Sequence, residues 1–108
     1  MPSKIPSTVF GQRLKQARLR AGIPQDQLGV RIGLDEGTAS ARLSRYETGV
    51  HEPSFRTVVK IADALQAPTA YFYCEDDELA GLLLLWGQAT IKEKSRIKAI
   101  ISAELGIQ

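Results

Sequence analysis

The chain has 108 residues, 44% apolar and 24% charged, with a net charge of +2, which bounds it to one small domain, with or without an appendage. Its longest apolar run, Leu82–Trp86, is far too short to cross a bilayer, and Met1–Pro6 offers no apolar signal core. The single cysteine, Cys74, excludes an internal disulfide and fits a reducing cytoplasm, so a cytoplasmic protein is expected.

The charge is unevenly spread. Residues 1–73 carry ten basic against six acidic side chains, a balance of +4, and residues 74–108 carry four against six, a balance of −2. A basic body joined to a mildly acidic tail points to a polyanionic partner for the body alone.

In chain order, Phe10, Leu14, Ala17 and Ala21 recur at helical spacing and predict a first helix ended by Gly22. Pro24 suits the opening of a second helix, which buries Leu28 and Ile32 and stops at Gly33. Leu43 and Tyr46 mark the inner face of a third helix, closed by Thr48–Gly49. A fourth starts at Pro53–Ser54 with Phe55, Val58, Val59, Ala62 and Leu65 inward, and Pro68–Thr69 opens a short fifth with Tyr71 and Phe72. The acidic run Glu75–Glu78 suits a helix N-terminus. The stripe Leu79, Leu82, Leu83 and Trp86 follows, with Leu84 and Leu85 making that helix apolar almost all round. Thr90–Glu93 is a capping box, opening a last helix expected to bury Ile97, Ile100, Ile101 and Leu105. No strand pattern survives, so an all-α fold is expected.

Gln25 to Glu47 is the most informative stretch. It holds one helix ending in glycine, a turn, and a second helix with Arg42 and Arg45 about one turn apart, the layout that places a helix in the DNA major groove. In the general pattern a small residue at the helix crossing precedes the turn glycine by four residues, and a branched apolar residue follows six later. Gly29 and Gly33 take the first two places, but Leu43 arrives about four residues late, which implies an insertion within Leu34–Thr38. Those residues lengthen either the recognition helix or the turn. The second alternative makes Thr38 the N-cap and spares the helix an internal Gly37, worth about 1 kcal/mol.

Phe10 to Phe72 resembles the phage-repressor-like (lambda-repressor-like, Xre-type) helix-turn-helix family. The resemblance rests on Arg13-Leu14-Lys15, Arg18, Gly22-Ile23-Pro24-Gln25, Leu28, Gly33, Leu43–Gly49, Pro53 and Ile61–Leu65. It implies a compact five-helix bundle, here with two additional C-terminal helices, and a third helix that enters the major groove. It also implies operator binding as a dimer. The chain departs from the pattern in the insertion, in Pro24 where a capping Ser or Asn is usual, and in Gly29 where Ala is usual.

The expected division is a DNA-binding body, residues 1–73, and a helical appendage, residues 74–108, that forms a homodimer through residues 79–105. Gln25 matches a phosphate-holding position. Ser40, Ala41, Arg42 and Arg45 are the candidates for the groove-facing side, with arginine suited to guanine O6 and N7, and Thr38 is a further DNA-binding candidate. Arg18 and Glu47 match a partly buried structural ion pair. Lone His51 has no second ligand, and no nucleophile–base pair, metal-ligand cluster or phosphate-cradling loop is present, so neither a cofactor nor an enzyme is expected. The function expected is a sequence-specific, repressor-type regulator acting on an inverted-repeat operator. The rival is an antitoxin-like protein whose tail binds a partner protein, with the DNA-binding unit serving autoregulation.

Overall fold

The computed structural model describes residues 8–106, so Met1–Pro6 lies outside the described residues. The helices are α1 (Val9–Ala21), α2 (Gln25–Arg31), α3 (Ala39–Thr48), α4 (Phe55–Leu65), α5 (Asp77–Gln88) and α6 (Ile91–Leu105), with one 3-10 segment, Thr69–Tyr73, between α4 and α5. No strand occurs among the described residues. The fold is all-α.

Chain chemistry sets the helix ends. Gly22, Gly49 and Gly106 take positive φ at the C-caps of α1, α3 and α6, a conformation that is costly for residues with a Cβ. At the N-termini, Thr8, Ser54, Asp76 and Thr90 each accept a bond from the first turn of α1, α4, α5 and α6. At α6 the box is reciprocal, with Glu93 accepting from the Thr90 N–H at 2.8 Å. Those bonds hold the Glu93 carboxyl below its ordinary range. The expected fifth helix is instead the 3-10 segment, begun at Pro68 without a side-chain cap.

The core gathers Phe10, Leu14 and Ala17 of α1, Leu28 of α2, Leu43 and Tyr46 of α3, and Val58, Ile61, Ala62 and Leu65 of α4 around Tyr71 and Phe72. Ala21, expected inside, is exposed. In α4 the buried face is turned from the expected one, because Ile61 packs inward and Phe55 and Val59 stand in solvent. Tyr71 donates to the Arg13 carbonyl at 3.1 Å, and burial pushes its phenol above the ordinary range, so it remains a donor.

The tail departs furthest from expectation. Ala80 and Leu84 are the buried side chains of α5, whereas Leu79, Leu82 and Leu85 are exposed. Nothing on α6 is buried, and Ile91, Ile97, Ile100, Ile101 and Leu105 all face water. The expected inward stripe of α6 is therefore its solvent face. The physical reason is that each helix carries apolar residues on more of its surface than one chain covers.

Arg13 anchors the start of the tail. The residue is 4% exposed, and its guanidinium donates to the carbonyls of Cys74 at 2.8 Å and Glu75 at 3.1 Å, and to Asp77 at 2.9 Å. The Asp77 side chain is 91% exposed, so solvent screens that ion pair, and the two carbonyl bonds dominate. Arg13→Ala is expected to lose about 2–3 kcal/mol and Asp77→Ala under about 1 kcal/mol. Equal losses in urea denaturation would show that the ion pair, not the carbonyl clamp, secures α5.

The α2–α3 crossing is closer than a side chain permits. A Cβ built on Gly29 would lie 2.5 Å from the Ala39 Cβ. Gly29→Ala is expected to cost about 1–3 kcal/mol through overpacking, despite alanine's better helix propensity. Adding Ala39→Gly removes the closest clash but leaves the Ala39 Cα at 3.0 Å and carbonyl carbon at 3.1 Å, so it should recover only part of the loss. Denaturation midpoints that stay as low in the double variant would remove this explanation.

Candidate nucleic-acid interface

The periodicity of α3 divides its ten residues into two faces. Ala39, Leu43, Tyr46 and Glu47 turn inward and are buried, because positions three and four apart share a side. Ser40, Ala41, Arg42 and Arg45 are exposed. Ala41 and Arg45 lie one turn apart at the centre of the outward face, Arg42 flanks them on one side, and Ser40 stands at the other edge near the N-terminus.

Thr38 occupies the position before α3 but makes no capping bond. Its hydroxyl instead donates to the Asp35 carbonyl at 3.3 Å. The connection from Ile32 to Thr38 is non-helical, so residues 34–38 lie in the turn and α3 starts at Ala39. That helix start brings Ala39 to the crossing with Gly29 and sends Leu43, one turn later, into the core.

The outward face is braced from behind. Arg18 Nε donates to Glu47 Oε2 at 2.5 Å and Arg18 Nη2 to Oε1 at 3.2 Å, with the two residues 8% and 3% exposed. A third bond runs from Arg18 Nη1 to the Ile23 carbonyl at 3.1 Å. The Gln25 side-chain amide donates through Nε2 to Glu47 Oε1 at 3.0 Å, and the Ser40 hydroxyl donates to Gln25 Oε1 at 3.4 Å. Through this relay the first residue of α2 meets the first turn of α3. Every buried side-chain nitrogen and oxygen among the described residues has a partner, the condition under which a buried ion pair is tolerated.

The N-termini of α2 and α3 are also the two α-helix starts without a side-chain cap among those described. No side chain closes their first turns, and the Ser40 hydroxyl of one meets the Gln25 side chain of the other. Such ends carry partial positive charge. His51 is exposed beyond α3, its N–H bonded to the Arg45 carbonyl at 3.2 Å.

Sequence reading overlooked Ser44, half-buried on the outer half of α3 between Ser40 and Thr48; a helical projection about Arg45 carries that signal. It also overlooked the Gln25–Ser40 contact, which joins residues fifteen apart and has no periodic signature.

A family model described as a helix-turn-helix domain matches residues 9–71. The chain belongs to that helix-turn-helix family. Among solved structures it is similar to the transcriptional regulator BswR, with 46% identity, a TM-score of 0.80, and coverage of 86% of this chain and 92% of that one. No curated protein matches this chain. The matched residues run from α1 into the 3-10 segment and include α2 and α3, and the protein is a DNA-binding transcriptional regulator.

The ion pair gives this site a stability signature. Glu47→Ala strands a buried guanidinium and is expected to cost roughly 3–5 kcal/mol. Joint replacement of Arg18 and Glu47 by Met and Leu should cost far less, because no charge is left unpaired. Denaturation midpoints for the three proteins test this, and a double variant as weak as Glu47→Ala would show that the pair does more than satisfy itself.

Proposed function

We propose that the protein is a repressor-type regulator of the phage-repressor-like (Xre) class that binds an inverted-repeat operator as a homodimer. The supporting observation is the outward face of α3, where Ala41, Arg42 and Arg45 stand exposed on a helix held from behind by the Arg18–Glu47 pair. In this reading residues 1–73 bind DNA and residues 79–105 join two copies. Arg45 and Arg42 read guanine edges bidentately, Ser40 contacts a neighbouring base, and small Ala41 lets the helix sit deep against a thymine methyl. Gln25 and Thr38 hold backbone phosphates beside the uncapped helix starts. Two copies would present their reading helices about 34 Å apart, one turn of duplex.

Charge supports the assignment, since the body carries the basic excess and the tail the acidic one. Asp35 and Glu36 are exposed in the α2–α3 connection, where carboxylates repel phosphate, and they would point away from the backbone or accept from a cytosine amine.

Selection of bound duplexes from a random pool at physiological salt tests the reading. The expected product is an inverted repeat with half-site centres about 10–11 base pairs apart. Arg45→Ala should then relax preference at one position of each half-site by about 1–3 kcal/mol. Absence of any enriched sequence would transfer the role to the antitoxin-like alternative, in which the exposed tail binds a partner protein.

A further inference from the structure

The exposed apolar face of α6 follows a pattern of its own. Lys94, Ile97, Ile101 and Glu104 succeed one another at intervals of three, four and three residues, the spacing of a coiled-coil seam. Ile100 flanks the seam on one side, and Ile91 and Leu105 on the other. All five apolar residues of this set are exposed. Ile97 and Ile100 also line a groove of about 380 Å³ shared with Leu85 of α5, so the seam borders that exposed leucine of the preceding helix.

The order of charges along this seam is self-complementary in one orientation. A second α6 running antiparallel, with the two-fold axis beside Ala99, sets Ile97 against Ile101 of the second copy, twice. The same register sets Lys94 against Glu104 of the second copy, also twice. It places Ile100 next to its own counterpart near the axis and Ile91 next to Leu105. Every exposed apolar side chain of α6 gains an apolar neighbour, and each end of the seam is closed by opposite charges. A parallel arrangement would set Lys94 on Lys94 and Glu104 on Glu104. The cost of the antiparallel register is Lys98 near its own copy at the rim, where water and salt screen the repulsion.

We infer that α6 is the dimerisation helix and that it pairs antiparallel with α6 of a second copy of this chain about Ala99, using Lys94–Glu104 ion pairs to fix the register. This rests on the homodimeric reading and specifies its interface. A fifteen-residue helix pair is short for a stable association, and Leu85 at the shared groove extends the apolar contact beyond α6.

Charge reversal provides the test, read by analytical ultracentrifugation of the full chain. Lys94→Glu faces Glu104 with a like charge and is expected to weaken the dimer by about tenfold or more. Adding Glu104→Lys restores opposite charges and should restore the dimer. Lys94 also lies over the Trp86 ring, 5.5 Å from its centroid, but the double variant does not rebuild that contact, so recovery reports on the intermolecular pair.

Cross-linking in a Cys74→Ser background fixes the direction. Ile100→Cys, near the axis, should form a covalent dimer, whereas Ile91→Cys should not, because its counterpart lies about 24 Å away along the helix axis. Cross-linking at both positions would mean parallel helices, and at neither would mean a different interface. Either result overturns the inference, as does a double variant that fails to recover. A dimer that survives Lys94→Glu and still binds an inverted repeat would sink this interface alone, whereas a monomeric wild-type chain would remove the homodimeric reading with it.

Discussion

The pairing of Arg18 with Glu47 is the constraint on which the reading surface depends. A helix of ten residues is marginal in isolation, and half of α3 must remain in water to be of use. Its inner half is therefore fixed at two places. Near the N-terminus Ala39 is pressed on Gly29, and near the C-terminus Glu47 is locked to α1 by two bonds. A Cβ at Gly11 would overlap the Glu47 backbone carbonyl, so α1 and α3 also approach backbone to backbone at Glu47. The net stability from a desolvated ion pair is small, since dehydration offsets most of the attraction. What the pair supplies is rotation: with Glu47 inward, Ala41 and Arg45 point outward.

Capping divides the helices by role. Four α-helices close their first turn with their own side chains, which satisfies donors that would otherwise need water or a ligand. The two helices of the helix-turn-helix unit do not. Pro24 has no side-chain acceptor to offer, and the Thr38 hydroxyl is turned back to the Asp35 carbonyl. These two helix starts thus give up the stability a cap would add, while Gln25 recovers some order by joining Glu47 to Ser40.

Much of the fold is legible in the sequence because its punctuation is local. Gly22, Gly49, Ser54 and the Thr90–Glu93 box act within a few residues of where they are written, and the helices begin and end beside them. The outer face of α3 is legible for the same reason, since Leu43 and Tyr46 fix its rotation. Burial is less legible where apolar residues occupy two sides of a helix. In α4 the choice between Val59 and Ile61, and in α5 between Leu82 and Leu84, is decided by neighbours distant in sequence. Arg13 is the plainest case: in the sequence it is one of four basic residues of α1 and looks like a solvated charge, and only the return of the chain at Cys74 and Glu75 makes it a buried clamp.

That clamp places α1 at the centre of any coupling between tail and reading surface. Arg13 holds the entry to α5, and Arg18, little more than a turn further along the same helix, holds the end of α3. Both attachments are buried and multiply bonded, so α3 and the start of α5 are referred to one rigid element rather than to a flexible linker. Association through the tail would therefore fix the separation of two reading helices, through α5 and α1, without contact between the DNA-binding bodies. In that arrangement the apolar surface left exposed on α5 and α6 is the complement of the polar surface left exposed on α3. On the proposed function one face would meet another copy of the chain and the other a duplex, with α3 and the start of α5 both referred to the two arginines of α1.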